Sequence, residues 1–157
     1  MWIFCVGNPL RGDDAVGCRV AELLTAKLTD AGERAKGIRV VDCGTTPENY
    51  IAALGREETD APRTLLIVDA AEMGLPPGEC RKLSLSELDA AAETSHGLPL
   101  SLLLAPFENL MEISALGIQP ASLRTGAPLS APVERAARLV AEKIAGGEWK
   151  KIPPRQR

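Results

Sequence analysis

Three residues in this sequence, Asp14, Asp69 and His96, stand where they could bind a cation and activate water. Asp14 closes the stretch "CVGNPLRGDD", residues 5 to 14, in which Gly7 and Gly12 have the G-x-x-x-x-G spacing of a phosphate loop. A phosphate loop continues with Lys and then Ser or Thr, because the lysine neutralises phosphate and the hydroxyl holds magnesium. Here Asp13 and Asp14 stand in those places. Two adjacent carboxylates repel an anion, so the loop suits a cation. A plainer reading is that Asp13 or Asp14 caps the next helix, since aspartate is a favoured N-cap and its charge suits a helix N-terminus.

Asp69 ends the apolar run "LLIVD", and Asp42 stands near the end of another such run, "IRVVDC". An acid after such a run is costly to desolvate unless it meets water, a hydrogen bond or a cation. His96, the one histidine, lies in "TSHGLPLS", a turn-like segment leading into a helix, where a lone histidine is ordinarily solvated. Together, two carboxylates and an imidazole form an O, O, N set suited to a divalent metal with positions left open, and nickel, zinc or iron would all accept it. A rival chemistry is a thiol nucleophile, Cys43, paired with His96. A buried, inert cysteine is the commoner state.

The elements that must position these residues follow from periodicity. "WIFCV", "IRVVDC" and "TLLIVDAA" are β-branched apolar runs without polar alternation, which predicts strands buried on both faces. Between them, residues 15 to 28 put Val16, Val20, Leu23, Leu24 and Leu28 on one helical stripe, with Gly32 as a stop. "TTPENYIAALG" predicts a second helix, capped by Thr46, opened by Pro47 and ended by Gly55. This alternation predicts an open, largely parallel α/β sheet with helices on both faces. "ECRKLS" is expected as an edge strand, "GLPLSLL" as a helix start and "EISALGI" as the last strand. Residues 130 to 145 form the clearest helix, with a Ser130 cap and Pro132 near its start. Ligands of such sheets bind beyond the carboxyl ends of the strands, where Asp14, Asp42 and Asp69 are all expected.

A chain of 157 residues suits one domain, which at this size buries about 68–70% of its unfolded surface. The expected α/β domain spans residues 1–146, and the basic stretch "GGEWKKIPPRQR" is expected to leave a flexible tail over 147–157. A net charge of −3 and an aromatic content of 3% give no footprint for nucleic acid. The longest apolar stretch is broken by Pro99 and Pro106, against a membrane span. The four cysteines form no C-x-x-C pair, and the amino terminus has no basic n-region, so a reduced, cytoplasmic protein is expected.

The segments "GNPLRGDDAVG", "DCGTTPEN", "LLIVDAAEMGLPPGE", "SHGLPLS" and "LGIQP" occur in the order found in the hydrogenase maturation proteases, covering most of the chain from Val6 to Pro120. The sequence closely resembles this family, most of all the branch serving formate-coupled, hydrogen-evolving hydrogenases. The resemblance implies a three-layer α/β/α sandwich around a five-stranded, largely parallel twisted sheet. It also implies an endopeptidase that trims the carboxy-terminal extension from the nickel-loaded precursor of a nickel–iron hydrogenase large subunit. On this likeness Asp14, Asp69 and His96 are the metal contacts, with nickel delivered by the precursor and not held as a resident cofactor, and Asp14 or Asp69 serves as the catalytic carboxylate. Asp13 is then expected as the helix cap and a nearby charge, and "GTTPEN" as lining of the substrate groove. Two other readings remain: a non-catalytic nickel-binding checkpoint for the same precursor, and a nucleotide-binding α/β protein.

Overall fold

The first strand, β1 (Trp2–Val6), is buried along its whole length and feeds two cores at once. Trp2, Phe4 and Val6 face one core, whereas Ile3 and Cys5 face the other, as the two-residue pleat requires. The computed structural model describes residues 1–32, 36–54, 62–91 and 98–156. After β1 come a 3-10 turn (Gly12–Ala15), α1 (Val16–Ala31), β2 (Arg39–Gly44), α2 (Glu48–Leu54) and β3 (Thr64–Ala70). The second half adds β4 (Cys80–Leu83), α3 (Leu85–Ala91), α4 (Leu100–Leu104), β5 (Glu112–Ile118), α5 (Ala131–Ala145) and a closing 3-10 turn (Trp149–Lys151).

The five strands form one sheet in the order β2-β1-β3-β5-β4. β1, β2, β3 and β5 run parallel, and β4 pairs antiparallel with β5 at the edge. One face is covered by α1 and α5, which pack together through Val16, Val20, Leu24, Val133, Ala137 and Val140. The other is covered by α2, α3 and α4 through Ile51, Leu54, Leu88, Leu100 and Leu104. This is the expected α/β/α sandwich. Leu65 and Ile67 serve the second core, while Leu66 and Val68 serve the first. Each such buried aliphatic stabilises by about 1.5–3 kcal/mol over its exposed state, and cutting one back to alanine costs about 2–5 kcal/mol.

Two features differ from the sequence expectation. α3 was not anticipated, although "SLSE" at residues 84 to 87 is a capping box: Glu87 Oε2 accepts the Ser84 amide at 2.9 Å and Ser84 Oγ accepts the Glu87 amide at 3.3 Å. The domain does not end at residue 146 with a free tail either. Trp149 and Ile152, each 4% exposed, join the α1/α5 core, because residues three apart eclipse on a 3-10 turn. The chain then pairs with the edge strand: the Lys82 amide donates to Pro153 O at 2.9 Å, and the Arg155 amide to Lys82 O at 3.1 Å. An open edge is thereby covered over part of its length.

Candidate functional site

In a sheet of this order the topological switch lies between β1 and β3, since α1 leaves β1 for one side and the chain returns to β3 on the other. The carboxyl ends of these two strands carry the two acids singled out by the sequence. Asp69 is the sixth residue of β3, opposite Gly117 of β5, and by the pleat it shares the face of Leu65 and Ile67. It is 2% exposed, and its Oδ1 accepts the Ala70 amide at 2.7 Å. Asp14 lies in the 3-10 turn that packs against β3. It is 8% exposed, with Arg11 Nη1 4.0 Å from its Oδ2.

The glycine spacing that resembled a phosphate loop has a different cause. A Cβ on Gly7 would stand 2.1 Å from Asp14 O, so the loop can fold back on itself only with glycine there. Gly12 has φ +56 and faces Ser122 O, which a Cβ would meet at 2.5 Å. The returned loop is held by its own backbone: the Asn8 amide donates to Asp14 O at 3.1 Å, and the Asp14 amide to Arg11 O at 3.1 Å. Asn8 Oδ1 accepts the Leu10 amide at 3.0 Å, an Asx turn.

Asp13 is not a cap of the following helix. Neither the 3-10 turn nor α1 has a side-chain cap, and Asp13, 1% exposed, turns away toward the loop after β5. Its Oδ2 accepts the amides of Ala121 at 2.7 Å and Ser122 at 3.1 Å and the Ser130 hydroxyl at 2.9 Å. Its Oδ1 accepts the Ser130 amide at 2.6 Å. Ser130 does occupy the N-cap position of α5, but it spends its hydroxyl on Asp13 and not on its own helix.

Asp42 stands on β2, the strand beside β1. It is exposed, and its Oδ1 accepts the Gly44 amide at 3.1 Å. Burial, with the Asp42 charge beside it, pushes the Cys43 thiol up to about 12, and the same two causes push Cys18 to about 12. A thiol so raised is protonated at neutral pH, which weighs against Cys43 as a nucleophile.

His96 lies outside the described residues, as does Gly55. The chain on either side of 92–97 is anchored. Ala91 O accepts the Glu72 amide at 2.8 Å, three residues beyond Asp69. Asp89 accepts the amides of Leu100 at 2.8 Å and Ser101 at 3.0 Å, capping α4 from α3. Among the described residues no group of three or more His, Cys, Asp or Glu side chains is gathered as a metal ligand set.

Sequence reasoning missed Gln119, which is 3% exposed just beyond β5. Its Oε1 accepts the amides of Met73 at 2.7 Å and Leu75 at 3.2 Å, while its Nε2 donates to Glu72 Oε1 at 2.7 Å. The loop that follows Asp69 is thus bound to the end of β5. The available signal was a polar residue directly after the apolar run of "EISALGI", the same cue that marked Asp69.

Residues 18–146 match the model of the HycI family, hydrogenase maturation protease. The chain belongs to that family. The hydrogenase 3 maturation protease of Escherichia coli is 38% identical over 149 residues, which cover 93% of this chain and 89% of that one. The solution structure of the endopeptidase HycI from Escherichia coli superposes with a TM-score of 0.80 at 32% identity, covering 98% of this chain and 95% of the other. The crystal structure of the [NiFe] hydrogenase maturation protease HycI from Thermococcus kodakarensis gives 0.76 at 28% identity, covering 95% and 91%. A hydrogenase maturation protease is a peptide hydrolase, so the buried carboxylates at the switch point belong to an enzyme. The likeness to a hydrogenase 3 protease also agrees with the branch expected from the sequence. Among the described residues no helix is long and apolar enough to cross a membrane.

Proposed function

We propose that this maturation protease removes the carboxy-terminal extension from the precursor of a nickel–iron hydrogenase large subunit and reads the nickel already bound in that precursor. The observation that carries the reading is the placement of Asp14 and Asp69, both buried, on neighbouring elements at one sheet edge. Two carboxylates there bring two negative charges of hard oxygen character into a low-dielectric wall, with Arg11 at 4.0 Å from one of them. A divalent cation presented by a substrate answers that charge, and His96 is the nitrogen ligand that completes the set. The substrate's nickel would supply Lewis acidity to this edge.

The chain's own part is general-base hydrolysis. Asp14 or Asp69 takes a proton from water as its oxygen bonds to the scissile carbonyl carbon; the proton then passes to the departing amine as the C–N bond breaks. "GTTPEN" covers the end of β2 and the start of α2, next to β1, from where it would contact the substrate chain. The four cysteines are free thiols, in keeping with a reducing cytoplasm. Incubation with purified nickel-loaded precursor, followed by intact-mass measurement, tests the reading. A large subunit shortened at its carboxyl end is expected. An unchanged mass with a stable complex would instead make this chain a checkpoint that binds and does not cut.

A further inference from the structure

Loops after β1 and β5 belong to strands that are not neighbours, because β3 lies between them. They nevertheless meet over the end of β3, where Asp69 stands, and the meeting point is Asp13. Its carboxylate accepts four hydrogen bonds, from the amides of Ala121, Ser122 and Ser130 and from the Ser130 hydroxyl, at 2.6 to 3.1 Å. The contact is reinforced by the Asp13 amide on Ser122 O at 2.9 Å and by the Gly126 amide on Leu10 O at 2.9 Å. A buried carboxylate suits this cradle for two reasons. Hydrogen bonds to a charged acceptor are about twice as strong as neutral ones. The N-cap amide of α5 also brings the positive end of a fifteen-residue helix to its Oδ1.

We infer that Asp13 is a positioning residue for peptide hydrolysis: its carboxylate locks the loop after β1 to the loop after β5 and thereby fixes the adjoining Asp14 at the sheet edge. This rests on the function proposed above. Asp14 is one peptide bond away, and its carbonyl closes the loop by accepting the Asn8 amide. Little slack separates the lock from the acid. Asparagine cannot replace Asp13, because one of its two terminal atoms is an NH2 group that would face a donor wherever it is turned.

Steady-state cleavage of nickel-loaded precursor by Asp13→Asn and Ser130→Ala, each assayed where circular dichroism shows it folded, separates positioning from mere stability. Misplacing a catalytic group by about 1 Å costs up to about a hundredfold in rate, so kcat should fall about tenfold or more in Asp13→Asn with KM nearly unchanged. Ser130→Ala, which removes one of four donors, should lose about two- to fivefold. Wild-type kcat in folded Asp13→Asn overturns the inference, and if that variant does not fold, wild-type kcat in Ser130→Ala does so. Should the wild-type protein fail to cleave the precursor, the proposed function falls, and the lock is judged by hydrogen exchange in the free protein. Faster exchange at the Asp14 amide in Asp13→Asn, or in Ser130→Ala if the former does not fold, supports it; unchanged protection there contradicts it.

Discussion

Gln119 and Glu72 are joined by a 2.7 Å hydrogen bond from Nε2 to Oε1, across 47 positions of sequence, while the other end of the same amide accepts the Met73 and Leu75 backbone. One side chain thus satisfies donors and an acceptor in the turn that follows Asp69.

Gln119→Ala leaves the Met73 and Leu75 amides without this acceptor, and a buried donor left unsatisfied costs about 1–3 kcal/mol. A clear drop in melting temperature and slower cleavage are expected. Gln119→Glu should be worse near neutral pH, because it removes the donor and sets a second carboxylate against Glu72. Part of its stability should return as the pH is lowered and one of the two acids is protonated. A thermal melt series across pH decides this, and a glutamate variant as stable as wild type at neutral pH would contradict it.

Asp14→Asn and Asp69→Asn keep side-chain size and remove charge. Each is expected to abolish processing while far-UV circular dichroism stays close to wild type. A general base contributes about 10²- to 10⁴-fold, so residual cleavage should lie at least about a hundredfold below wild type. Full activity in either variant would remove that residue from the mechanism.

Removal of residues 148–157 takes away Trp149 and Ile152 from the α1/α5 core and the pairing of Lys82 with Pro153 and Arg155. Truncating one buried aromatic or aliphatic side chain costs about 2–5 kcal/mol, so the shortened chain should melt well below the full one. The separate variant Lys150→Ala, on an exposed residue of the same segment, should change stability little. Equal melting of the shortened and full chains would contradict the packing described.

Arg19 of α1 grips Glu134 of α5 with two hydrogen bonds of 2.9 Å, and Arg138 approaches the same carboxylate at 2.5 Å. The Arg19 bond is the main cause that holds Glu134 below its ordinary value of 4.5. The folded state therefore favours the ionised form. Its contribution is present in full above 4.5 and is lost as the pH falls through the lower, folded value. Glu134→Gln should flatten this part of the acid limb in denaturant titrations while changing little in its slope above pH 5, and an unchanged acid limb would count against the bridge.

Much of the fold was legible because its signals are local. β1, β3 and β5 are apolar runs of the right length, and α1 and α5 have clear stripes. Asp69 stood out because an acid at the end of an apolar strand needs an explanation, and Asp14 because it stands where a phosphate loop would carry a hydroxyl; the structure buries both. Asp13 was misread as a cap because its partners lie between 108 and 117 positions away, where no spacing rule reaches. Gln119 escaped notice as an uncharged residue, although its burial is as complete as that of the acids. The terminal segment was read by its lysines and prolines, while its stability comes from Trp149 and Ile152 brought together by a single turn.

On the proposed function, the carboxylate edge acts on a precursor because that precursor carries nickel. Parallel incubation of the full chain with nickel-loaded and nickel-free precursor, with intact mass followed over time, tests it most directly. Shortening of the loaded precursor alone is predicted, with the nickel-free form unchanged over the same period. Cleavage of both forms at the same rate would contradict it.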